Sequence, residues 1–336
     1  MSLREKIYNT FSISNKANYG PYKGSSNTYN IFLWNIIYPG RLFNRFRGST
    51  LIKKKFDRKF YYLKSNDEYN FWKKKFEEFN EDGCVIFENY FDPNTIDSLY
   101  KKYKDQFKHQ SDTIDQNRTK SSSVYLKITQ ELINIWLDDN LIGLMKNFST
   151  DDLLARNYPV AVLHKNFDEQ ISSHSKYKQN IKSSYADDWH IDHSNLITMH
   201  VILKDITEND ICMEFLPKSK RFFNQTYLYS DEEIKKIAIP KKCIGKKGTV
   251  YIHYGNTIHR MRTKNNSSRF QLHFEFTSKT NVLLDSKKIS ETITEGFDFN
   301  IEPKKRNICR GIYPLSLNKG YDVSKSGEFK KSKNII

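Results

Sequence analysis

No apolar run in the 336-residue chain approaches the roughly 20 residues that a membrane-spanning helix needs. The first 28 residues are polar, which argues against a cleaved signal peptide. Cysteine is scarce: Cys84, Cys212, Cys243 and Cys309 are widely scattered and form no C-x-x-C pair. That spacing excludes a disulfide scaffold and a cysteine zinc finger. It suits a reducing compartment, so a cytoplasmic location is expected. Internal repeats are absent. Acidic side chains are almost missing from residues 1–64, which hold 13 Lys/Arg against 2 Asp/Glu.

What is present points to a folded core. Hydrophobic residues make up 38% and aromatics 14%, too many for a disordered polyelectrolyte. The length allows one large domain with extensions or two ordinary domains. The formal net charge of +16 is unevenly placed. Residues 1–64 carry a net +11 and residues 278–336 a net +5, while residues 65–277 balance 30 basic against 30 acidic side chains. The expected organisation is therefore a basic aromatic arm (1–64), a neutral central domain (65–277) and a basic extension (278–336).

The arm contains the apolar-aromatic stretch 29–38, then Arg41, Arg45, Arg47 and Lys53-Lys54-Lys55. Such a patch flanked by cations is what peripheral contact with an anionic membrane requires, here through residues 29–59 at the inner face of a membrane. A strand or helix packing onto the central domain would read the same way. Nucleic acid is disfavoured, because no recognition motif accompanies the charge. The sequence leaves the oligomeric state open.

Tyr69, Trp72, Phe76 and Phe79 recur at helical spacing, and Gly83 follows where a left-handed cap is favoured. Val85–Phe87 is expected as a short strand. Asp92-Pro93 opens a second helix with Ile96, Leu99, Tyr100 and Tyr103 on its apolar face. A further helix is expected over about 129–147. From about 154 the pattern turns to strands. Ile197, Met199, Val201 and Leu203 alternate with Thr198, His200 and Ile202; Phe270, Leu272, Phe274 and Phe276 alternate with Gln271, His273 and Glu275. Gly248–Tyr254 is another strand, and Ser230 with Glu233 makes a capping box for a short helix. Residues 166–186 are polar and aperiodic, a long loop beside the chemistry that could act as a lid. Helices first and strands afterwards predict a mainly β sandwich or jelly roll with a helical buttress.

The chemistry-bearing set begins at Trp189-His190-Ile191-Asp192. Alternate residues of an extended segment point the same way, so His190 and Asp192 can converge on one ion. His259, 67 residues after Asp192, supplies a third ligand. Two histidines and a carboxylate on one face of a metal are the arrangement of non-haem Fe(II) oxygenases. Arg269, opening the last strand, could take the distal carboxylate of 2-oxoglutarate.

Further segments make the set more specific. Glu81–Phe91, Leu203–Asp210, Phe215–Lys220 and Gly248–His253 together resemble the phytanoyl-CoA dioxygenase family, across about residues 80–277. Lys218 and Lys220 stand where that family usually has Gly and His, and Asp210 where Gly is common; against the resemblance, an altered pocket rim is expected there. The resemblance implies a double-stranded β-helix of the jelly-roll, cupin-like kind. It implies Fe(II) held by His190, Asp192 and His259, with 2-oxoglutarate anchored by Arg269 and O2 as the second cosubstrate. The outcome would be hydroxylation of a C–H bond, since halogenating relatives carry a small residue in place of Asp192. Thr198 could bond the C1 side of 2-oxoglutarate, although it and Gln271 read equally as solvent-facing. His193, His200, His253 and His273 are expected to pack in the barrel or face solvent, because the ligand quota is already met. Asp187 and Asp188 belong to the loop, with substrate contact as the alternative. Tyr158, His164 and Lys165 either line the pocket or fill a strand. The expected substrate is a small molecule or a lipid-linked one, such as a glycolipid or an acyl-CoA. The alternatives are a non-catalytic jelly-roll binding protein recruited to an anionic surface, and a cupin-type metalloenzyme that does not use 2-oxoglutarate.

Overall fold

The computed structural model describes residues 54–108, 119–126, 128–149, 152–156, 159–166, 189–190, 196–219, 228–229, 231–262, 264, 267–278, 301–309, 321–323 and 329–331. The arm up to residue 53, loop residues 167–186, Tyr158, Asp187, Asp188, Asp192, His193, Lys220 and Ser230 lie outside them, as does the side chain of Lys165.

Helix α1 (Asn66–Asp82) starts where the Ser65 hydroxyl accepts from the Glu68 amide, and it ends at Gly83 in the left-handed region, φ 76°. Trp72, Phe76 and Phe79 form its buried stripe. Strand β1 (Cys84–Phe87) follows, then helix α2 (Pro93–Lys108), which Asp92 caps by accepting from the Thr95 amide at 3.0 Å. The single helix expected over 129–147 is two: α3 (Gln130–Trp136) and α4 (Asp139–Phe148). Asp138 makes the break, because its carboxylate accepts from the amides of Asn140 and Leu141 and so caps a new helix.

Strands β2 (Thr119–Tyr125), β3 (Leu153–Ala155), β4 (Val160–Asn166), β6 (Ile197–Ile202), β10 (Val250–Tyr254) and β12 (Ser268–Ser278) join β1 in a seven-stranded antiparallel sheet. Its order is β1-β10-β6-β12-β4-β2, with β3 also paired to β12. A second, five-stranded sheet has the order β8-β5-β11-β7-β9, from β5 (Trp189–His190), β7 (Cys212–Phe215), β8 (Leu228–Tyr229), β9 (Lys241–Cys243) and β11 (His259–Arg262). Helix α5 (Asp231–Ile237) precedes β9, and helix α6 (Pro303–Cys309) follows the sheets. Strands β13 (Tyr321–Val323) and β14 (Phe329–Lys331) pair with each other. Two antiparallel sheets with helices on one outer face make the expected mainly β jelly roll with a helical buttress.

The large sheet is buried on both faces. Its apolar phase (Met199, Val201, Ile252, Phe270, Leu272, Phe274) packs on Trp72, Phe79, Leu132, Trp136 and Phe148 from the helices. Tyr254 stacks on Phe79 with ring centroids 4.6 Å apart. The other phase holds Thr198, His200, Tyr251, His253, Arg269 and Gln271, all buried, and faces the small sheet. Phe215 of the small sheet lies 4.7 Å from the His253 ring, and Met261 shares an apolar cluster with Tyr251. The solvent-facing alternative for Thr198 and Gln271 is thereby corrected: a second sheet covers their side, leaving them 1% exposed.

Segments outside 65–277 contribute to this core. Tyr61 is buried in it with Phe56 against it, and Ile301, Ile308 and Cys309 join it from the other end. The 3-10 turn Arg58–Phe60 lies so close to α4 that a Cβ on Gly143 would stand 2.3 Å from the Phe60 carbonyl oxygen. Alanine in a helix interior normally gains about 0.5–1 kcal/mol over glycine. Overpacking costs about 1–3 kcal/mol and wins here. Gly143→Ala is expected to lower the melting temperature by several degrees, and an unchanged melt would show that the turn moves away freely.

All four cysteines are free and buried. Among the described residues no helix is long and apolar enough to cross a membrane.

Candidate active site

Strand β5 is described over Trp189–His190, where its neighbours hold it. His190 is paired directly opposite His259, the first residue of β11, and their ring centroids are 4.3 Å apart. Both rings are buried, at 4% and 2% exposure. Adjacent residues of a strand point to opposite faces, so Trp189 and Arg260 share the outer side. There the Arg260 guanidinium lies 4.3 Å over the Trp189 ring. Asp231, at the start of α5, accepts from Trp189 Nε1 at 2.8 Å and from Arg260 Nη1 at 2.9 Å, while Glu214 accepts from Arg260 Nε at 2.9 Å. The outer face thus clamps the short strand that presents His190.

His259 is oriented from behind. Its Nδ1–H donates to the Thr257 carbonyl at 2.7 Å, which leaves Nε2 unprotonated, as a metal ligand needs. Thr257 is in turn fixed by donating to the Gly83 carbonyl at 2.9 Å, and Ser219 Oγ accepts from the Ile258 amide at 2.9 Å. These supports were not singled out as site residues from the sequence. A backbone carbonyl leaves no mark there, and Ser219 showed only as one residue of the Phe215–Lys220 segment. Among the described residues no group of three or more His, Cys, Asp and Glu is placed to hold a metal. His190 and His259 form a pair, and Asp192 lies outside the described residues.

Deeper in the barrel, polar side chains form a directed chain. Tyr251 O–H donates to Gln271 Oε1, and Gln271 Nε2 donates to His200 Nδ1 at 2.9 Å. The His200 proton is therefore on Nε2, 3.4 Å from His253 Nε2. His253 Nδ1–H completes the chain at the Tyr254 carbonyl, 3.2 Å away. One set of neutral tautomers satisfies every link. Both nitrogens of His200 and of His253 are committed, so neither is spare for a metal, and the expectation that they pack in the barrel holds. His273, half-buried on β12, pairs with Glu275 at 3.1 Å.

Arg269 and Thr198 complete the interior. Arg269 is 2% exposed; its Nη2 lies 3.2 Å from His164 Nδ1 and 3.7 Å from the Met261 sulfur, while Nε and Nη1 have no hydrogen-bond partner. Among the described residues no carboxylate forms an ion pair with it. Met261 sits two residues after His259 on the same face of β11, one pleat repeat or about 7 Å along. That strand therefore sets the distance between the histidine pair and the guanidinium. The Thr198 hydroxyl, 1% exposed, also lacks a partner.

The two departures after Pro217 and before Ile211 have local explanations. Lys218 keeps a positive φ of 60°, the conformation that glycine favours, and pairs with Glu81 at 2.6 Å on the surface. Asp210 closes its turn by accepting from the Thr207 amide at 2.8 Å and from Ser267 Oγ at 3.2 Å.

The family model for phytanoyl-CoA dioxygenase (PhyH) matches residues 79–270, more than half of the chain. The chain belongs to the phytanoyl-CoA dioxygenase family. It is accordingly an oxygenase-type enzyme dependent on Fe(II) and 2-oxoglutarate. No curated protein matches it. Solved structures with similarity include the epimerase SnoN in complex with Fe3+, alpha ketoglutarate and nogalamycin RO, at 12% identity and TM-score 0.47, covering 66% of this chain and 92% of that one. HygX from Streptomyces hygroscopicus, with nickel and 2-oxoglutarate bound, shows 11% identity and TM-score 0.45, covering 61% and 87%. AviO1 from Streptomyces viridochromogenes Tue57 shows 14% and 0.43, covering 68% and 97%.

The residues present fit the family's cofactors. A buried guanidinium with two unpartnered nitrogens is costly unless an anion reaches it, and a dicarboxylate meets that need. The His259 imidazole, its proton held on Nδ1 by the Thr257 carbonyl, is unprotonated at Nε2, the kind of donor that a divalent iron takes.

Proposed function

We propose that the enzyme hydroxylates a C–H bond of a small-molecule or lipid-linked substrate, with His190, Asp192 and His259 holding Fe(II) and Arg269 receiving the distal carboxylate of 2-oxoglutarate. Thr198 supplies a hydroxyl to the other end of that cosubstrate. The observation that carries this reading is the buried Arg269 guanidinium, whose Nε and Nη1 lack partners and whose Nη2 touches Met261, one pleat repeat along β11 from the His259–His190 pair. A metalloenzyme that does not use 2-oxoglutarate has no need of such a cation. When bound, iron and 2-oxoglutarate activate O2, with succinate and CO2 as coproducts. The chain's own part is positional. Thr257 fixes the His259 tautomer, the Trp189–Arg260–Asp231 clamp fixes His190, and Phe215 with the neutral polar chain keeps bulk water from the floor of the barrel. A carboxylate at position 192 favours hydroxylation over halogenation.

Anaerobic addition of Fe(II) and 2-oxoglutarate is expected to produce a weak visible charge-transfer band that His190→Ala removes. A band that survives in the variant would overturn the ligand assignment. A succinate-coupled screen of lipid-linked sugars, acyl-CoAs and free amino acids then separates the substrate classes. The lipid-linked choice is motivated by the net +11 of residues 1–64, which would bring the enzyme to an anionic membrane surface. Glutamate at Arg41, Arg45 and Arg47 together, in the full chain, is expected to abolish cosedimentation with anionic vesicles. Unchanged cosedimentation would remove this part of the proposal.

A further inference from the structure

We infer that His164 is a positioning residue for the cosubstrate anchor, a neutral acceptor that holds the Arg269 guanidinium ready for an incoming carboxylate. The inference rests on the assignment of Arg269 to 2-oxoglutarate proposed above. His164 is the direct cross-strand partner of Arg269 between β4 and β12, and both are buried, at 6% and 2% exposure. Arginine carries donors only, so at 3.2 Å its Nη2–H donates and His164 Nδ1 must be bare. The imidazole proton is thereby assigned to Nε2. Burial and the adjacent Arg269 charge both hold the ring well below its ordinary pKa of 6.5, keeping it neutral.

The choice of side chain is what suggests function rather than packing. A carboxylate here would form the ion pair itself and compete with 2-oxoglutarate. An apolar residue would leave a long, rotamer-rich side chain to find its place on binding. A neutral acceptor orients the guanidinium without neutralising it. It engages Nη2 from one sheet while the Met261 sulfur touches the same nitrogen from the other, and Nε and Nη1 remain unpartnered.

The test is the dissociation constant of 2-oxoglutarate, titrated anaerobically with Fe(II) by the charge-transfer band or with Mn(II) by calorimetry. His164→Asn places an amide oxygen where Nδ1 was and is expected to bind within about threefold of wild type. His164→Leu removes the acceptor and is expected to weaken binding about 10-fold or more, the usual effect of losing a hydrogen bond to a charged group. His164→Glu is expected to weaken it further. Equal affinities for the Leu variant and wild type, or equal losses for Leu and Asn, would overturn the inference. Arg269→Gln separates the two assignments: if it binds 2-oxoglutarate like wild type, the anchor itself is wrong, whereas a loss there beside normal His164→Leu binding sinks only the role of His164. Nitrogen-15 spectra of the metal-free wild type, expected to show His164 protonated on Nε2 alone, give a readout independent of any variant's folding. A proton on Nδ1 would refute the proposal.

Discussion

Taking the protein from pH 7 to pH 5 is expected to lower its folding stability, because two buried imidazoles stay neutral in the folded state where the unfolded chain protonates them, each at a limiting slope of about 1.4 kcal/mol per pH unit below 6.5. The two are His164 and His200, which burial above all holds well below the ordinary value of 6.5. Charged and titratable neighbours push in the same direction, Arg269 and His273 on His164, and His273, His253, Arg269 and His259 on His200. The sign follows from proton counting. Once unfolded, each ring takes up a proton as pH falls through 6.5, while the folded protein leaves it neutral. The unfolded state then holds more protons, and stability falls with pH. Above 6.5 both states are neutral there and the effect vanishes.

Against the roughly 5–15 kcal/mol typical of a whole domain, a slope of this order is readily measured. Urea melts between pH 7 and 5 measure it directly. Replacing His200 by Asn should remove about half the slope, and replacing both rings most of it. The raised carboxyl pKa values of Asp82 and Asp138 act with opposite sign, because there the folded state takes up protons before the unfolded chain as pH falls. A flat stability from pH 7 to 5 would mean that these rings are already hydrated or charged in the native state.

The same histidines show where sequence reading reaches and where it stops. Helices α1 and α2 were legible because Trp72, Phe76, Phe79, Ile96 and Leu99 repeat at the helical period, with Gly83 closing the first and Asp92 capping the start of the second. The period of two in β6 and β12 was equally clear, but it does not say what covers the polar phase. Alternation normally means one wet face. Here the helices cover one phase and the small sheet the other, so Thr198, His200 and Gln271 are interior. One signal was available: in β12 the polar phase over 269–275 is Arg, Gln, His and Glu, with no lysine in a chain rich in it. The break between α3 and α4 was also written in Asp138, whose carboxylate caps better than it propagates. His190, His259 and Arg269 could be picked out by residue type and spacing. Their supports could not, because the Thr257 carbonyl, the His164 lone pair and the Asp231 clamp exist only once distant strands meet.

Arg269→Gln is expected to move stability and binding in opposite directions. In the ligand-free protein the guanidinium is a buried cation with Nε and Nη1 unpartnered. Burying an ion costs several kcal/mol after relaxation, whereas its one bond to His164 returns about 1.5–3 kcal/mol. Glutamine keeps a donor for His164 and removes the charge, so the ligand-free variant should be more stable than wild type by about 1–3 kcal/mol. Affinity for 2-oxoglutarate should fall by about 100-fold or more, since charge-assisted bonds to a carboxylate are lost with nothing in their place. The ligand itself supplies the contrast. Adding 2-oxoglutarate to the Mn(II)-loaded protein should raise the wild-type melting temperature through binding linkage and, at the same concentration, raise that of the variant far less. A variant that is less stable than wild type and still gains from 2-oxoglutarate would show that Arg269 serves the fold and that the anchor lies elsewhere. The predicted outcome would show the reverse: a cation kept at a cost to stability because a dicarboxylate cosubstrate completes it.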